Sequence, residues 1–152
     1  MHQALNEHVL QLSTSLAVAE QAGLYVGHAW DTIEAGSLRG RLLSSLDAHL
    51  DRYNVSVRQH RLENLDLLLG RLTPSQRPES LEIQIQLVEG APHVAIPAMA
   101  RDIEADLVVM GTVARTGIPG FIVGNTAEMI LSQIACAVLA VKPQGFTSPV
   151  EI

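Results

Sequence analysis

Cysteine occurs once in the 152 residues, at Cys136, so no internal disulfide can form and a reducing cytoplasm is the compartment that suits the chain. Aromatic residues make up 3% of the sequence, which leaves the core to aliphatic side chains and argues against surfaces that stack bases. Ten Lys and Arg stand against sixteen Asp and Glu, a net charge of −6. The clustered cations that a nucleic-acid backbone requires are missing, so nucleic acid is not an expected partner. No apolar run approaches the roughly 20 residues of a membrane span. The opening Met1-His2-Gln3-Ala4-Leu5 lacks the basic and apolar regions of a signal peptide.

Catalytic signatures are missing as well. There is no glycine-lysine-serine phosphate loop, no GxSxG elbow, no HExxH helix and no CxxC pair. His2, His8, His28, His49, His60 and His93 are scattered, with no pair three or four apart on one helix face, so no metal site is expected. Nucleotide hydrolysis needs charge stabilisation and a positioned water. No residue pattern supplies either, and the chain is not expected to be an enzyme.

What is present is an aliphatic globular domain. Hydrophobic residues reach 47% and charged residues 17%, which excludes disorder and fits one domain over residues 1–152. Leu5, Val9, Leu12, Leu16 and Ala19 repeat at helical intervals, with Gly23 as the expected C-terminal cap. Leu24 to Trp30 reads as a buried strand. Leu38, Leu42, Leu46 and Leu50 mark a second helix, continued by Leu62, Leu65 and Leu69 unless Asn54 breaks it. Thr73 to Ser80 is a short linker-like stretch. Leu81, Ile83, Ile85 and Leu87 alternate with polar residues, the pattern of a strand at a sheet edge or on a partly covered face. A helix follows Gly90-Ala91-Pro92, with Val94, Ile96, Met99 and Ile103 expected to face inward and Pro97 to kink it or mark its start. Ala137 to Val141 is the last strand, expected to be buried, and the tail 143–152 has no pattern.

Asp106 to Met129 organises the rest. Leu107-Val108-Val109-Met110 is the run of a strand buried on both faces, ended by Gly111. A loop with Gly117, Pro119, Gly120 and Gly124 follows, and Asn125 opens a helical pattern as an expected N-cap, with Glu128 at capping-box spacing. Strand, glycine loop and helix start together suit an anion, because free N–H groups and the positive helix end face the loop. Alternating strands and helices predict an α/β domain, an open parallel sheet with helices on both faces. Ligands of such sheets sit at the carboxyl ends of the strands, where Leu24–Trp30 and Asp106–Gly111 both end.

The stretch resembles the signature loop of universal stress proteins, which runs glycine, two residues, glycine, nine residues, then glycine and a hydroxyl residue. Here the spacing holds as Gly111, Ala114, Gly124 and Asn125, with alanine for the second glycine and asparagine for the hydroxyl residue. The surrounding words VVMGTVARTGIPGF and GNTAE are most similar to the second half of the tandem, universal stress protein E type, and the resemblance runs from about Leu5 to Val150. It implies a Rossmann-like nucleotide-binding fold and a candidate ligand set of Gly111, Thr112, Ala114, Arg115, Gly124, Asn125 and Thr126. It implies a stress-response binding and interaction module, non-catalytic, with a degenerate phosphate loop. The alternative is an ATP-binding, nucleotide-dependent switch, with ATP the one ligand implied, and a slow ATPase is the third reading. The implied partners are a second copy, paired along Ala137 to Val141, or a tandem domain. The resemblance also implies a first strand in the middle of the sheet, ending in an aspartate that contacts adenine. This chain begins at the first helix, so a fragment of a longer protein is expected, with either Leu24–Trp30 closing onto Asp106–Gly111 or a segment from another chain filling the gap; the alternative expectation is a complete chain with an altered sheet.

Each candidate has a plainer reading beside it. Gly111, Ala114, Gly124 and Asn125 either bind phosphate or turn a tight connection. Ala114 adds a methyl group where backbone would approach a ligand. Arg115 clamps a phosphate or is a solvated loop residue. His28 is a pocket ligand or a satisfied histidine, Trp30 lines the pocket or plugs the rim, and Cys136 is an inert small hydrophobe.

Overall fold

The computed structural model describes residues 2–30, 45–112 and 124–146. Along them run α1 (His2–Glu20), β1 (Leu24–Trp30), α2 (Ser45–Leu69), β2 (Ile83–Glu89), α3 (Pro92–Asp102), β3 (Leu107–Gly111), α4 (Asn125–Leu131) and β4 (Ala137–Val141). Helix and strand alternate as the pattern predicts. Asn54 does not break α2, which is one helix of 25 residues. The first half of its expected stripe, Leu38 and Leu42, lies outside the described residues, as does the tail from residue 147.

The ends of α1 and α3 are built alike. Gln21 (φ 54°) and Glu104 (φ 50°) take the left-handed conformation just past each helix. Ala22 N–H then reaches back to Ala17 O at 2.9 Å, and Ala105 N–H to Ala100 O at 2.8 Å, the six-residue closure of a Schellman turn. Gly23, expected as the α1 cap, lies beyond that turn. Side chains that reach straight into water tolerate the left-handed backbone here, at a cost of roughly 1 kcal/mol.

In α3, Ala91 is the N-cap and Pro92 takes the first helical position, where its missing N–H costs nothing. Pro97 lies inside the helix rather than at its start. The inward face differs from expectation at Val94, which is 57% exposed, while Ala95, Pro97 and Ala100 are buried. Met99 and Ile96 do face β1: a Cβ built on Gly27 would stand 2.5 Å from Met99 Cε and 3.9 Å from Ile96 Cδ1.

Among the described residues the strands form two parallel ladders, β1 with β2 and β3 with β4, and not one continuous sheet. Leu24 lies opposite Ile83 in the first, and Leu107 opposite Ala137 in the second. Leu24–Trp30 therefore does not close onto Asp106–Gly111. Helices cover both faces. Gly27 meets Met99 of α3, while the next residue, His28, lines a cavity with α1 and α2, and successive strand residues point to opposite faces. The helices also tie the ladders together, because α1 touches β1, β3 and β4, and α3 lies on β1 and β2 while packing against α4.

The hydrogen-bond phase shows which groups face the division. Ala137 N–H donates to Asp106 O at 3.2 Å and Thr112 N–H to Val141 O at 2.8 Å, so the even-numbered residues of β3 bond β4. In a parallel ladder the intervening residues, Leu107, Val109 and Gly111, then direct their backbone groups away from β4. Leu24 N–H to Glu82 O, at 3.2 Å, sets the same phase in β1, where Tyr25, Gly27 and Ala29 face away from β2.

That division overturns the expected burial of the strands. No residue of β3 is buried and Leu107 is 41% exposed, while in β4 only Val141 is buried. Apolar strands are shielded when neighbours pair along both edges, and among the described residues each has a ladder partner on one edge alone. The buried core is aliphatic, as the composition requires, with Leu5, Leu10, Leu69, Leu81 and Ile130 in it. Trp30, at 8% exposure, belongs to this core and not to an open rim.

Candidate functional site

The carboxyl end of β3 and the start of α4 carry five of the seven sequence candidates. Ala114 and Arg115 lie outside the described residues, with the rest of the loop from 113 to 123. Gly111 closes β3, and its lack of a side chain admits α1. A Cβ there would stand 2.8 Å from Leu5 Cδ2 and 3.1 Å from Leu5 Cγ. Thr112 is completely buried, and its Oγ1 donates to Val141 O at 3.4 Å, the same oxygen that its N–H bonds. Both positions serve packing between α1, β3 and β4.

At the other side of the loop the cap is shifted by one residue from its expected place. Gly124 is the N-cap, with extended backbone (φ −76°, ψ 152°), and its oxygen accepts from Glu128 N–H at 2.9 Å. Asn125 is the first helical residue, so Glu128 falls one position past the place a capping box needs. The Asn125 side chain is exposed and bonds no described residue, leaving its amide free to donate outward. Thr126 is exposed beside it. Glu128, in the first turn, complements the positive helix end with its own charge.

The fold places His28 in a cavity between α1, β1 and α2. Its pKa is pushed below the ordinary 6.5, first by burial and then by the nearby Arg61 guanidinium. Arg61 was not legible as a site residue, although Arg61, Asn64, Leu65 and Leu68 follow one helical stripe and all line that cavity. Cys136, half-buried before β4, is a free thiol. Among the described residues no three His, Cys, Asp or Glu side chains gather as a metal site would require, and no helix is long and apolar enough to cross a membrane.

The sequence pattern of the universal stress protein family matches residues 3–142. The chain belongs to that family. Universal stress protein E of Salmonella typhi is 29% identical over 152 residues, covering 99% of this chain and 45% of its own length. The chain thus spans about half of the relative it matches. The solved structure of the hypothetical protein MJ0577 superposes with a TM-score of 0.70 at 16% identity, covering 94% of this chain and 91% of that one. A universal stress protein solved in complex with cAMP gives a TM-score of 0.57 at 19% identity, over 93% of this chain and 91% of that one. At such identities these structures establish the α/β fold that they share with the chain, and no more.

Proposed function

We propose that this family member is a non-catalytic, stress-response binding module whose phosphate loop is degenerate. The observation that carries the reading is the use of Gly111 and Thr112. Gly111 makes room for Leu5 and Thr112 is turned inward onto Val141, so both residues at the head of the loop serve packing. The sequence adds two departures at ligand-facing positions, Ala114 and Asn125. Titration calorimetry with ATP, with and without Mg²⁺, tests it. Weak or absent binding is expected, and Ala114→Gly with Asn125→Ser should then raise affinity at least about tenfold, near 1.4 kcal/mol. Phosphate release above background would overturn the non-catalytic reading.

A nucleotide-dependent switch is the second reading. It is favoured by the free Asn125 amide at the start of α4 and by the relative solved with cAMP. Tight calorimetric binding of ATP or cAMP by the unmodified chain would select it.

The proposed partner is a second copy docked along β4. Ala137, Leu139 and Ala140 are exposed there, and β3 occupies one edge only. Such an apolar outer edge suits pairing with another strand. A tandem domain is the other candidate for the same role.

A further inference from the structure

We propose that the cavity between α1, β1 and α2 is a binding site for a small amphiphilic oxyanion, a carboxylate or phosphate monoester with an aliphatic body, seated on Arg61 and His28. The cavity measures about 400 Å³, within the range of small-molecule sites. Its wall on α2 is made by Arg61, Asn64, Leu65, Leu67 and Leu68, so charge, amide and apolar surface follow one another along the helix. Gln3 and Asn6 of α1 and His28 of β1 close the other sides.

The two guanidinium groups in the wall have different roles. Arg71 ion-pairs with Glu7, and the Gln3 amide, with its oxygen turned toward the guanidinium, accepts from it at 2.6 Å. This clip joins the end of α2 to α1. Arg61 forms no ion pair among the described residues and faces His28 instead of a carboxylate. Ten residues separate Arg61 from Arg71, about 15 Å along a helix axis, so the Glu7 carboxylate neutralises the far end and leaves the near end cationic.

An unneutralised guanidinium offers a planar fork of donors that suits a carboxylate or phosphate bidentately. An anion placed there also relieves the repulsion between Arg61 and His28 and lets the imidazole take a proton as a second donor. Leu65 and Leu68 then provide the apolar floor for the body of the ligand. None of these residues belongs to the loop between β3 and α4, so this site is independent of the nucleotide question.

The experiment follows the imidazole resonances of His28 by NMR in the full chain during titration with hexanoate, hexyl phosphate and inorganic phosphate. The expected result is saturable movement of the His28 signals with hexanoate or hexyl phosphate, and a raised His28 pKa in the bound form. Whichever of the two saturates first identifies the head group, and inorganic phosphate, which lacks an apolar body, should bind at least tenfold more weakly. Arg61→Gln, at an exposed position, should reduce affinity at least tenfold, while Asn125→Ser should leave it unchanged. Unmoved His28 signals with all probes, or an Arg61→Gln chain that binds as tightly as the original, would overturn the proposal. Equal binding of inorganic phosphate would overturn the amphiphilic part.

Discussion

The side-chain amide of Gln133 donates to the backbone oxygen of His93 at 2.9 Å, and this is the acceptor that Pro97 leaves open. In a regular helix the N–H four residues on would bond His93 O, and proline has none. Gln133 also donates to Met129 O at 3.0 Å, so one amide links the end of α4 to the interrupted turn of α3.

Replacing that amide should cost stability only while Pro97 is present. Gln133→Ala is expected to lower unfolding free energy by about 1 kcal/mol, the usual net worth of one hydrogen bond. In a Pro97→Ala background the helix supplies its own donor, and the same change should cost less than half as much. Urea denaturation of the four chains of this cycle measures the coupling, and purely additive values would remove Gln133 from this role.

Hydrogen exchange should alternate along β3. Val108 N–H lies on the side bonded to β4, whereas Val109 directs its N–H toward the division between the ladders. Val109 is therefore expected to exchange at least about tenfold faster than Val108 in the isolated monomer. The contrast should repeat in β1, with Gly27 faster than Val26. Equal, strong protection at Val108 and Val109 would mean that another strand lies between β1 and β3.

Acid should weaken the fold through His28. The folded chain holds this proton less tightly than the unfolded chain, whose histidine titrates near 6.5. Well above that value both states are neutral and the stability is fully present. As pH falls through 6.5 the unfolded chain gains a proton that the folded chain resists, so stability declines until the lower folded pKa is passed. Urea midpoints at about pH 7.5 and about pH 5 should differ, and His28→Gln should shrink the difference. An unchanged slope in that variant would assign the effect to other groups.

The outer edge of β4 offers a clean test of assembly. Odd-numbered residues of β4 bond β3, since Ala137 donates to Asp106 and Val141 accepts from Thr112, so the Ala140 N–H points to the free edge. Ala140→Pro removes that outward donor and spares the β3 ladder. Light scattering at micromolar concentration should show a dimer for the unmodified chain and a monomer for the variant, with far-ultraviolet dichroism unchanged. A monomer in both cases would count against pairing through β4.

The alternation of helix and strand, the register of apolar residues and the loop spacing were legible in the sequence, because each rests on neighbours within about one or two turns of chain. Local pattern placed β4 at Ala137–Val141 to the residue, and it read β2 as a half-exposed strand, at an edge or on a partly covered face. The expected cap at Asn125 missed by one residue, since Gly124 takes the extended backbone of the cap. The inward Val94 failed because which residues of α3 face in depends on where other elements lie, and spacing along one helix carries no record of that. The same limit applies to the candidate sites. Nothing local distinguishes Gly111 as the seat of Leu5, 106 residues earlier in the chain, or sets Arg61 beside His28. Apolar β-branched runs determined that β3 and β4 would be strands. Whether those strands would be buried was decided by tertiary structure, because burial needs a partner along each edge and the described strands form two separate ladders.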